Sequence, residues 1–419
     1  MKNLWFDTVV VGGGPAGLAA AKEASHGGKV LVTEREARLG GILKQCIHDG
    51  FGVVRFGQKL SGPEYADRFV RQLADTDVTV SLLSFVTDIA KSDDGGFTVT
   101  YVCRDGVVKA HCTNVILATG CRERTRNAVS VHGTRPSGVY TAGSAQHMVN
   151  LSGVLPGKNC VILGSGDIGL IMARRLTLEG AKVQGVYEAK PVPSGLTRNL
   201  VQCLDDFGIP LHLSQTVTRV FGEERLTAVE ISDVDDNMQP VVGTEKIVPC
   251  DTLILAVGLI PENELAAKLK IQLDPHTKGA TVDQNCQTSV RGVFQCGNAL
   301  HVNDLVDYVS ENAEIAGRAA ASKLAQPQKI DVVCKGNFAY FVPQKIDIAN
   351  VCDKTVCYFR AAKQLTDQTL MVSVGGTQIF AKSYGKLLPP EMERVVVDLS
   401  KAQLDGNSVV EVTLTDKVR

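Results

Sequence analysis

Short apolar runs alternate along the chain with glycine turns and helix-forming stretches. Residues 6–11 are apolar and β-branched, which predicts a buried parallel strand, and a glycine-rich turn follows at once. Residues 18–24 then favour a helix, and residues 29–33 favour a second strand that ends at Glu34. A strand, a turn, a helix and a strand in this order predict a βαβ unit with a parallel sheet.

The same order of elements returns in the middle of the chain. Residues 159–163 predict a strand, residues 170–179 predict a helix that Gly180 ends, and residues 182–187 predict a strand that ends at Glu188. The chain is therefore expected to be an α/β protein with two Rossmann-like units.

The glycines of both turns have the spacing that brings a backbone close to a dinucleotide. The first glycine allows a tight turn, the second lets the main chain approach a pyrophosphate, and the third lets the helix pack closely on the strand. The phosphates would lie at the helix N-terminus, where N–H groups and the helix dipole favour negative charge. These glycines are Gly12, Gly14 and Gly17 in the first turn and Gly164, Gly166 and Gly169 in the second.

An acidic residue ends the strand that follows each turn. Glu34 and Glu188 are each placed to accept hydrogen bonds from the ribose hydroxyls of a dinucleotide. Glu188 would repel a 2′-phosphate, which favours NAD over NADP, and the nearby Lys190 and Arg198 weaken that preference. Two nucleotide sites in one chain predict electron transfer between two bound cofactors.

Length and composition narrow the class of protein further. A chain of 419 residues exceeds the size at which single cores stop growing, about 250–300 residues, so two or three domains are expected. The net charge of −1 offers no field that would attract nucleic acid, and no stretch reaches the ~18 apolar residues of a membrane helix. The N-terminus lacks a signal peptide's apolar region, so a cytoplasmic protein is expected. The dispersed cysteines form no C-x-x-C pair and no metal-ligand spacing, so no metal site is expected.

Three further apolar strands end in glycine-containing segments. Residues 114–120 end in Ala-Thr-Gly, residues 251–258 repeat this pattern, and residues 292–298 end at Gly297 and Asn298. Together with the two turns, this ordered set resembles the FAD- and NAD(P)-dependent pyridine nucleotide–disulfide oxidoreductase superfamily over residues 5–325. The resemblance implies that the first two segments close the FAD and NAD domains and that the third returns the chain to the flavin.

Two segments narrow the resemblance to one branch of this superfamily. Residues 118–124 and 135–146 are similar to flavoprotein subunits of hydrogen cyanide synthase, opine oxidase and glycerol-3-phosphate dehydrogenase systems. Asn298 stands where the superfamily usually has an aspartate that bonds the ribityl chain of FAD. The amide keeps an acceptor and adds donors, so the surroundings of the flavin are expected to be less negative.

The position of the third segment implies that the FAD-binding domain is discontinuous. We expect it to comprise residues 1–124 and 278–327, with the NAD-binding domain, residues 125–277, inserted between them. Residues 304–323 favour a helix whose N-terminal dipole would stabilise the charge of a reduced flavin. Residues 328–419 alternate in short apolar runs, which predicts a small β-rich domain. This domain is expected to dock a protein partner or form a homo-oligomer, and a purely structural cap is the alternative.

The candidate binding residues follow from the turns and from the resemblance. The candidate flavin-binding residues are Gly12, Gly14, Pro15, Ala16, Gly17, Glu34, Arg35, Gly41, Ile42, Val86, Thr119, Gly120, Gly297, Asn298 and Val306. The candidate nicotinamide nucleotide-binding residues are Gly164, Gly166, Asp167, Ile168, Gly169, Glu188 and Gly258.

Two residues near the expected flavin are candidates for catalysis. Cys46 would act alone, because the paired redox cysteines of the superfamily are missing from their usual places, and this role would need a low thiol pKa. Its alternative role is packing under the flavin. His48 is a candidate general base, with a surface or hydrogen-bonded histidine as the alternative. Cys352 and Cys357 have C-x4-C spacing in the tail, where we expect reduced structural thiols.

The leading hypothesis is an enzyme that moves a hydride between NAD(H) and FAD and exchanges electrons with a partner subunit or a small acceptor. The first rival is a disulfide or peroxide reductase that uses Cys46 alone. The second rival is a non-catalytic subunit in which the nucleotides are structural or sensory.

Overall fold

The computed structural model describes residues 2–93, 95–351 and 354–416. The helices in this part of the chain are α1 (Pro15–Ala24), α2 (Val53–Phe56), α3 (Gly62–Ala74), α4 (Ala142–Asn150), α5 (Asp167–Leu178), α6 (Thr197–Cys203), α7 (Glu264–Lys268) and α8 (Val306–Ala321).

The strands of the same residues form several sheets. They are β1 (Lys2–Val11), β2 (Val30–Thr33), β3 (Asp49–Phe51), β4 (Leu60–Ser61), β5 (Thr79–Ser81), β6 (Phe85–Lys91), β7 (Phe97–Cys103), β8 (Gly106–Leu117), β9 (Cys121–Glu123), β10 (His132–Gly133), β11 (Val139–Thr141), β12 (Asn159–Leu163), β13 (Lys182–Glu188), β14 (Leu211–Leu213), β15 (Gln215–Phe221), β16 (Ala228–Asp233), β17 (Lys246–Pro249), β18 (Thr252–Leu255), β19 (Leu259–Pro261), β20 (Val293–Gln295), β21 (Lys329–Lys335), β22 (Phe338–Val342), β23 (Lys345–Asp347), β24 (Lys354–Ala361), β25 (Leu365–Val374), β26 (Thr377–Leu387), β27 (Met392–Asp398) and β28 (Val410–Asp416).

The chain divides into two compact units. Unit 1 comprises residues 1–121 and 261–419, and unit 2 comprises residues 122–260. The middle of the chain is thus inserted into unit 1, as the return of the third glycine-containing segment implies.

Unit 1 contains a Rossmann-like sheet. Strands β5, β2, β1 and β8 are parallel neighbours in this order, and β20 adds a further parallel strand beside β8. The antiparallel strands β7 and β6 continue the sheet from β8. Helices α1, α3 and α8 bury their apolar faces in one core with the sheet. This packing places the carboxyl ends of β1, β2, β8 and β20 at one edge.

Unit 2 repeats the parallel design. Its sheet has the order β11, β18, β12, β13 and β14, with every pair parallel. Helices α4 and α5 pack in one core with this sheet. A second sheet, β10, β15, β16 and β17, shares another core with it.

The C-terminal part of unit 1 is β-rich, as predicted. One sheet has the order β23, β21, β28, β25 and β26, and a second has the order β22, β24 and β27. Side chains of both sheets enclose one apolar core, because alternate residues along strands such as β25 and β28 point inward. Cys357 is a buried free thiol in this core, and Cys352 lies outside the described residues.

Both boundaries of the inserted domain, predicted as residues 125–277, differ from the structure, and residues 122–124 belong to unit 2. Residues 261–277, which we assigned to the inserted domain, belong to unit 1. Ala266, Leu269 and Ile271 are buried in a core that they share with β1, β7 and β8. The chain therefore leaves unit 2 at Ile260, since these apolar side chains fill the other unit.

Candidate functional site

The first glycine turn forms a compact cradle, residues 12–17, between β1 and α1. Gly12 has φ +109°, and a Cβ there would lie 2.4 Å from the carbonyl oxygen of Ala118. A Cβ on Gly17 would lie 1.7 Å from the carbonyl oxygen of Gly12, so only glycine allows this closeness of helix and turn. Pro15 begins α1, and the helix N-terminus faces the end of the strand.

The carboxylate of Glu34 braces this first cradle. Its Oε2 accepts the backbone N–H of Gly13 at 2.8 Å, and its Oε1 accepts that of Glu36 at 2.8 Å. Glu34 is almost fully buried at the end of β2. The acid predicted from its spacing thus lies against the turn.

Distant segments of the chain meet at the same cradle. The N–H of Gly40 donates to the carbonyl of Gly13, and a Cβ on Gly41 would lie 2.9 Å from the Cα of Gly14. A Cβ on Gly297 would lie 2.7 Å from the Cβ of Ala16. Residues 40–41 and the segment that ends at Gly297 therefore both pack against the first cradle in unit 1.

The Ala-Thr-Gly segment lies beside these residues. Ala118 donates its N–H to Val11, and its own carbonyl lies against Gly12. The Thr119 hydroxyl donates to the carbonyl of Glu262 at 2.7 Å, and Gly120 has φ +71°. The strand β8 thus ends in a turn that is anchored next to the first cradle.

The remaining flavin candidates differ in exposure. Arg35 is exposed beside Glu34, and Ile42 is 59% exposed beside Gly41. Val86 is instead buried in the apolar core of unit 1. Arg35 and Ile42 are therefore free to approach a ligand, whereas the Val86 side chain contributes to packing.

Asn298 and Val306 lie at the two ends of the segment that leads into α8. The Asn298 Oδ1 accepts the backbone N–H of Asn303 at 3.0 Å and its side-chain amide at 3.2 Å. The Asn298 amide nitrogen lies 3.8 Å from the sulfur of Cys121. Val306 is the first residue of α8, and its carbonyl accepts the Tyr65 hydroxyl at 3.4 Å.

The second glycine turn repeats the first in unit 2 and forms a second cradle, residues 164–169. Gly164 has φ +103°, and a Cβ there would lie 2.2 Å from the carbonyl oxygen of Ala256. A Cβ on Gly169 would lie 2.3 Å from the carbonyl oxygen of Gly164. Gly166 caps α5, and space is open where its Cβ would lie.

Glu188 braces the second cradle as Glu34 braces the first. Its Oε2 accepts the N–H of Ser165 at 3.1 Å and the Ser165 hydroxyl at 2.6 Å. Its Oε1 accepts the N–H of Lys190 at 3.1 Å. In both units, a carboxylate at the end of a strand thus accepts a backbone N–H of the glycine turn.

A loop after β13 is fixed to the second cradle. Asp167, at the start of α5, accepts the N–H of Leu196 at 2.9 Å and the side-chain amide of Asn199 at 2.7 Å. Ile168 is 39% exposed in the same turn. Gly258, with φ +104°, accepts the N–H of Arg124 after β18. The predicted nucleotide-binding residues from Gly164 to Glu188 therefore lie together in unit 2.

Both cradles fit the pyrophosphate of a dinucleotide. A Cβ on Gly14 would meet only the Cα of Gly41, at 3.7 Å, and a Cβ on Gly166 would meet no atom within 4 Å. The space that a side chain would fill is thus open at the N-terminus of each helix, where backbone N–H groups and the helix dipole attract phosphate.

The candidate catalytic thiol lies in an environment that does not lower its pKa. Cys46 is buried, its sulfur donates to the carbonyl of Ile42 at 3.4 Å, and burial raises the pKa of its thiol to about 12. A reactive cysteine needs a lowered pKa, so the structure supports the packing role. No cysteine in the described part of the chain forms a disulfide. His48 is half-buried, and its ring lies 5.0 Å from that of Phe51.

Two asparagines that support the first cradle were missed from the sequence. Asn303 holds Asn298, and the Asn312 Oδ1 accepts the backbone N–H of Gly297 at 3.0 Å. Asn312 is buried on the packed face of α8. A polar residue on the apolar face of a predicted helix was the signal that could have revealed it.

The fold and the paired cradles define the class of protein, one with two dinucleotide-binding folds. A family profile described as pyridine nucleotide-disulphide oxidoreductase matches residues 6–320, and the chain belongs to this family. Its members bind FAD and NAD(P). The predicted resemblance and fold class are confirmed.

Individual relatives support the assignment of the chain to this family. The HcnB chain of hydrogen cyanide synthase from Pseudomonas protegens is 28% identical over 64% of this chain and 59% of its own length. An opine oxidase subunit from Agrobacterium tumefaciens is 25% identical over 76% of this chain and 65% of its own length. The chain thus spans less than two thirds of these curated relatives. A thioredoxin reductase structure from T. acidophilum has the same fold, with TM-score 0.61 and 23% identity over 76% of this chain and 98% of its own.

Two features are absent from the part of the chain that the structure describes. No helix among residues 2–93, 95–351 and 354–416 is long and apolar enough to cross a membrane. Within the same residues, no group of histidine, cysteine and acidic side chains could hold a metal ion.

Proposed function

We propose that this chain moves a hydride between a nicotinamide nucleotide bound in unit 2 and FAD bound in unit 1. The observation that carries the proposal is the repeated bracing of a glycine turn by a buried carboxylate, Glu34 to Gly13 and Glu188 to Ser165. Each brace fixes the turn so that the helix N-terminus presents its N–H groups to phosphate. One such fold would suffice for a protein that used a single nucleotide.

The residues of the chain bind and orient in this reaction. When bound, the flavin and the nicotinamide supply the hydride chemistry themselves. The braced turns hold the phosphates, and the N-terminus of α8, which begins after Leu305, favours negative charge at the flavin. Hydride transfer requires no side-chain acid or base, so neither Cys46 nor His48 is needed for that step.

An anaerobic titration tests this proposal. The purified chain is expected to carry flavin and to lose its visible flavin absorbance when NADH is added without oxygen. Cys46→Ser should reduce its flavin at the same rate, because a buried thiol with a raised pKa does not take part. A chain that cannot take up FAD would contradict the proposal, and loss of turnover in Cys46→Ser with unchanged flavin reduction would favour the single-cysteine reductase.

The acid at the end of β13 supports NAD as the preferred nucleotide. Glu188 is nearly buried and carries its charge where the adenosine ribose of a Rossmann ligand lies, so a 2′-phosphate would meet a carboxylate. In the same titration, NADH should reduce the flavin faster than NADPH at equal concentration. Equal rates would mean that the exposed Lys190 and Arg198 offset Glu188.

The relatives support a role within a larger enzyme. Both hydrogen cyanide synthase HcnB and the opine oxidase chain are named as subunits. We infer that this chain exchanges electrons with a partner subunit or a small acceptor. Purification under native conditions should recover a second polypeptide in fixed ratio. Nucleotide binding without any electron transfer would instead favour a non-catalytic subunit.

A further inference from the structure

Residues 297–305 lead into α8, and we term them the 297–305 loop. Residues of the β-rich part of unit 1 hold this loop in place. The Asp304 Oδ1 accepts the Arg360 guanidinium at 2.6 Å, and its Oδ2 accepts the backbone N–H of Met392 at 2.6 Å. Both carboxylate oxygens are therefore used by residues of the β-rich sheets.

Arg360 is positioned by further contacts of its own. Its side chain is only 17% exposed, and Nη1 donates to the carbonyls of Pro389, at 3.1 Å, and Pro390. Its Nε lies 3.4 Å from the Tyr340 hydroxyl. The rigid fork of a guanidinium suits several simultaneous acceptors, so Arg360 presents a fixed donor to Asp304.

A second residue of the 297–305 loop enters the β-rich part. The His301 ring is fully buried, with its centroid 5.7 Å from the Tyr340 ring and 5.3 Å from the Tyr358 ring. Its backbone carbonyl accepts the Asn303 side-chain amide at 2.9 Å. The loop is thus fastened to the β-rich sheets by a ring and by an ion pair.

The other end of the same loop lies at the first cradle. Gly297 packs against Ala16, and Asn298 is held by Asn303, the residue directly before Asp304. A displacement of Asp304 would therefore be passed through Asn303 to Asn298. The proposed function places the start of α8 beside the flavin, and Asn298 is a candidate flavin-binding residue.

We propose that the β-rich part is a positioning element for the flavin site and that Arg360 is its positioning residue. This inference rests on the proposed function, because it assumes that FAD binds at the first cradle. An unfastened loop must be ordered when FAD binds, and the loss of conformational entropy on ordering weakens the binding. Arg360 holds the loop in its binding conformation beforehand, so the affinity for FAD is kept.

The chain offers a matched control for this test. Arg394 also joins the β-rich part to the Rossmann-like part of unit 1, through two hydrogen bonds to Glu311 of α8 at 2.7 Å and 2.5 Å. Glu311 lies in the body of α8, beyond the loop and its Asn298 contact. Arg394→Gln therefore removes a comparable ion pair without releasing the 297–305 loop.

The experiment compares the FAD-loaded full chain with its Arg360→Gln and Arg394→Gln variants. Both variants should lose similar thermal stability. Only Arg360→Gln should release FAD faster, by about tenfold, which corresponds to ~1.4 kcal/mol, and should alter the visible circular dichroism of bound flavin. Asp304→Asn is the milder second variant, and its effect on FAD release should not add to that of Arg360→Gln.

The outcomes separate this inference from the proposed function. If the unaltered chain binds no FAD, the proposed function fails and the inference fails with it. If the unaltered chain binds FAD and the two arginine variants release it at the same rate, only the inference is overturned. Additive effects of Asp304→Asn and Arg360→Gln would overturn it as well.

Discussion

His301 lies fully buried between Tyr340 and Tyr358, and neither of its ring nitrogens has a hydrogen-bond partner among the described residues. Burial, and then the positive charge of Arg360, lowers the pKa of this imidazole to about 3. A buried polar group without a partner costs about 1–3 kcal/mol. The imidazole ring therefore packs between the two tyrosine rings but lowers the stability of the folded chain.

His301→Phe should consequently raise the free energy of unfolding by about 1–3 kcal/mol at neutral pH, because it replaces the imidazole with an aromatic ring that has no polar atoms. Below an unfolded pKa of 6.5 the unfolded chain binds a proton that the folded chain does not, so the native protein loses stability as the pH falls toward 3. The advantage of the variant should grow by ~1.4 kcal/mol per pH unit in that range.

Urea unfolding at pH 7.5 and pH 5.5 measures this difference. A variant that is less stable than the native chain at both values would show that the imidazole has a partner. An advantage that does not change with pH would show that folding does not lower the pKa of His301.

At this scale, the sequence identifies residues whose partners are near or follow a fixed pattern. Glu34 and Glu188 could be predicted because each ends the strand after its turn, where the parallel fold places it. The pair of Asp304 and Arg360 could not, since 56 positions separate the two residues and neither has a local signature. The buried state of Cys46 also depends on long-range packing, which is why a redox role stayed open from the sequence.

Helices and strands follow local signals where those signals are strong. Helix α1 begins at Pro15, before the predicted residue 18, because proline suits the first helical turn, where its missing N–H is not needed. Strand β1 extends back to Lys2 because residues 2–6 pair with β8. That extension was not predicted, since pairing with a strand about 100 residues away leaves no local pattern.

Gly17 in α1 is needed for close packing, whereas Gly14, the N-cap of α1, leaves space for a phosphate. Gly17→Ala should cost several kcal/mol in unfolding free energy, because its Cβ would lie 1.7 Å from the Gly12 carbonyl oxygen. Gly14→Ala has room for its Cβ and an extended φ of −76°, so its stability should change by less than about 0.5 kcal/mol while FAD binding is lost.

Chemical denaturation and flavin content measure these two effects. Gly385→Ala is the control, because Gly385 is exposed in β26 and a Cβ there would meet no atom within 4 Å. A Gly14→Ala chain that keeps its flavin would contradict the assignment of the first cradle to FAD.

For the molecule as a whole, the sequence predicted an insertion and a β-rich C-terminal part, because repeated motifs and strand periodicity extend over many residues. The point of return was predicted at residue 278, whereas the chain returns to unit 1 at residue 261. Ala266, Leu269 and Ile271 join the core of unit 1, and their apolar pattern alone does not show which of two cores they fill. The role of the β-rich part likewise depends on contacts such as that of Arg360, which only the folded chain reveals.

The central claim is that the two cradles hold two different nucleotides in one chain. Counting the FAD and NAD(H) bound per chain, in the native protein and in the Gly14→Ala and Gly166→Ala variants, tests it most directly. We predict one of each in the native chain, loss of FAD alone in Gly14→Ala, and loss of NAD(H) alone in Gly166→Ala. A native chain that binds a single nucleotide, or two variants that lose the same one, would contradict the claim.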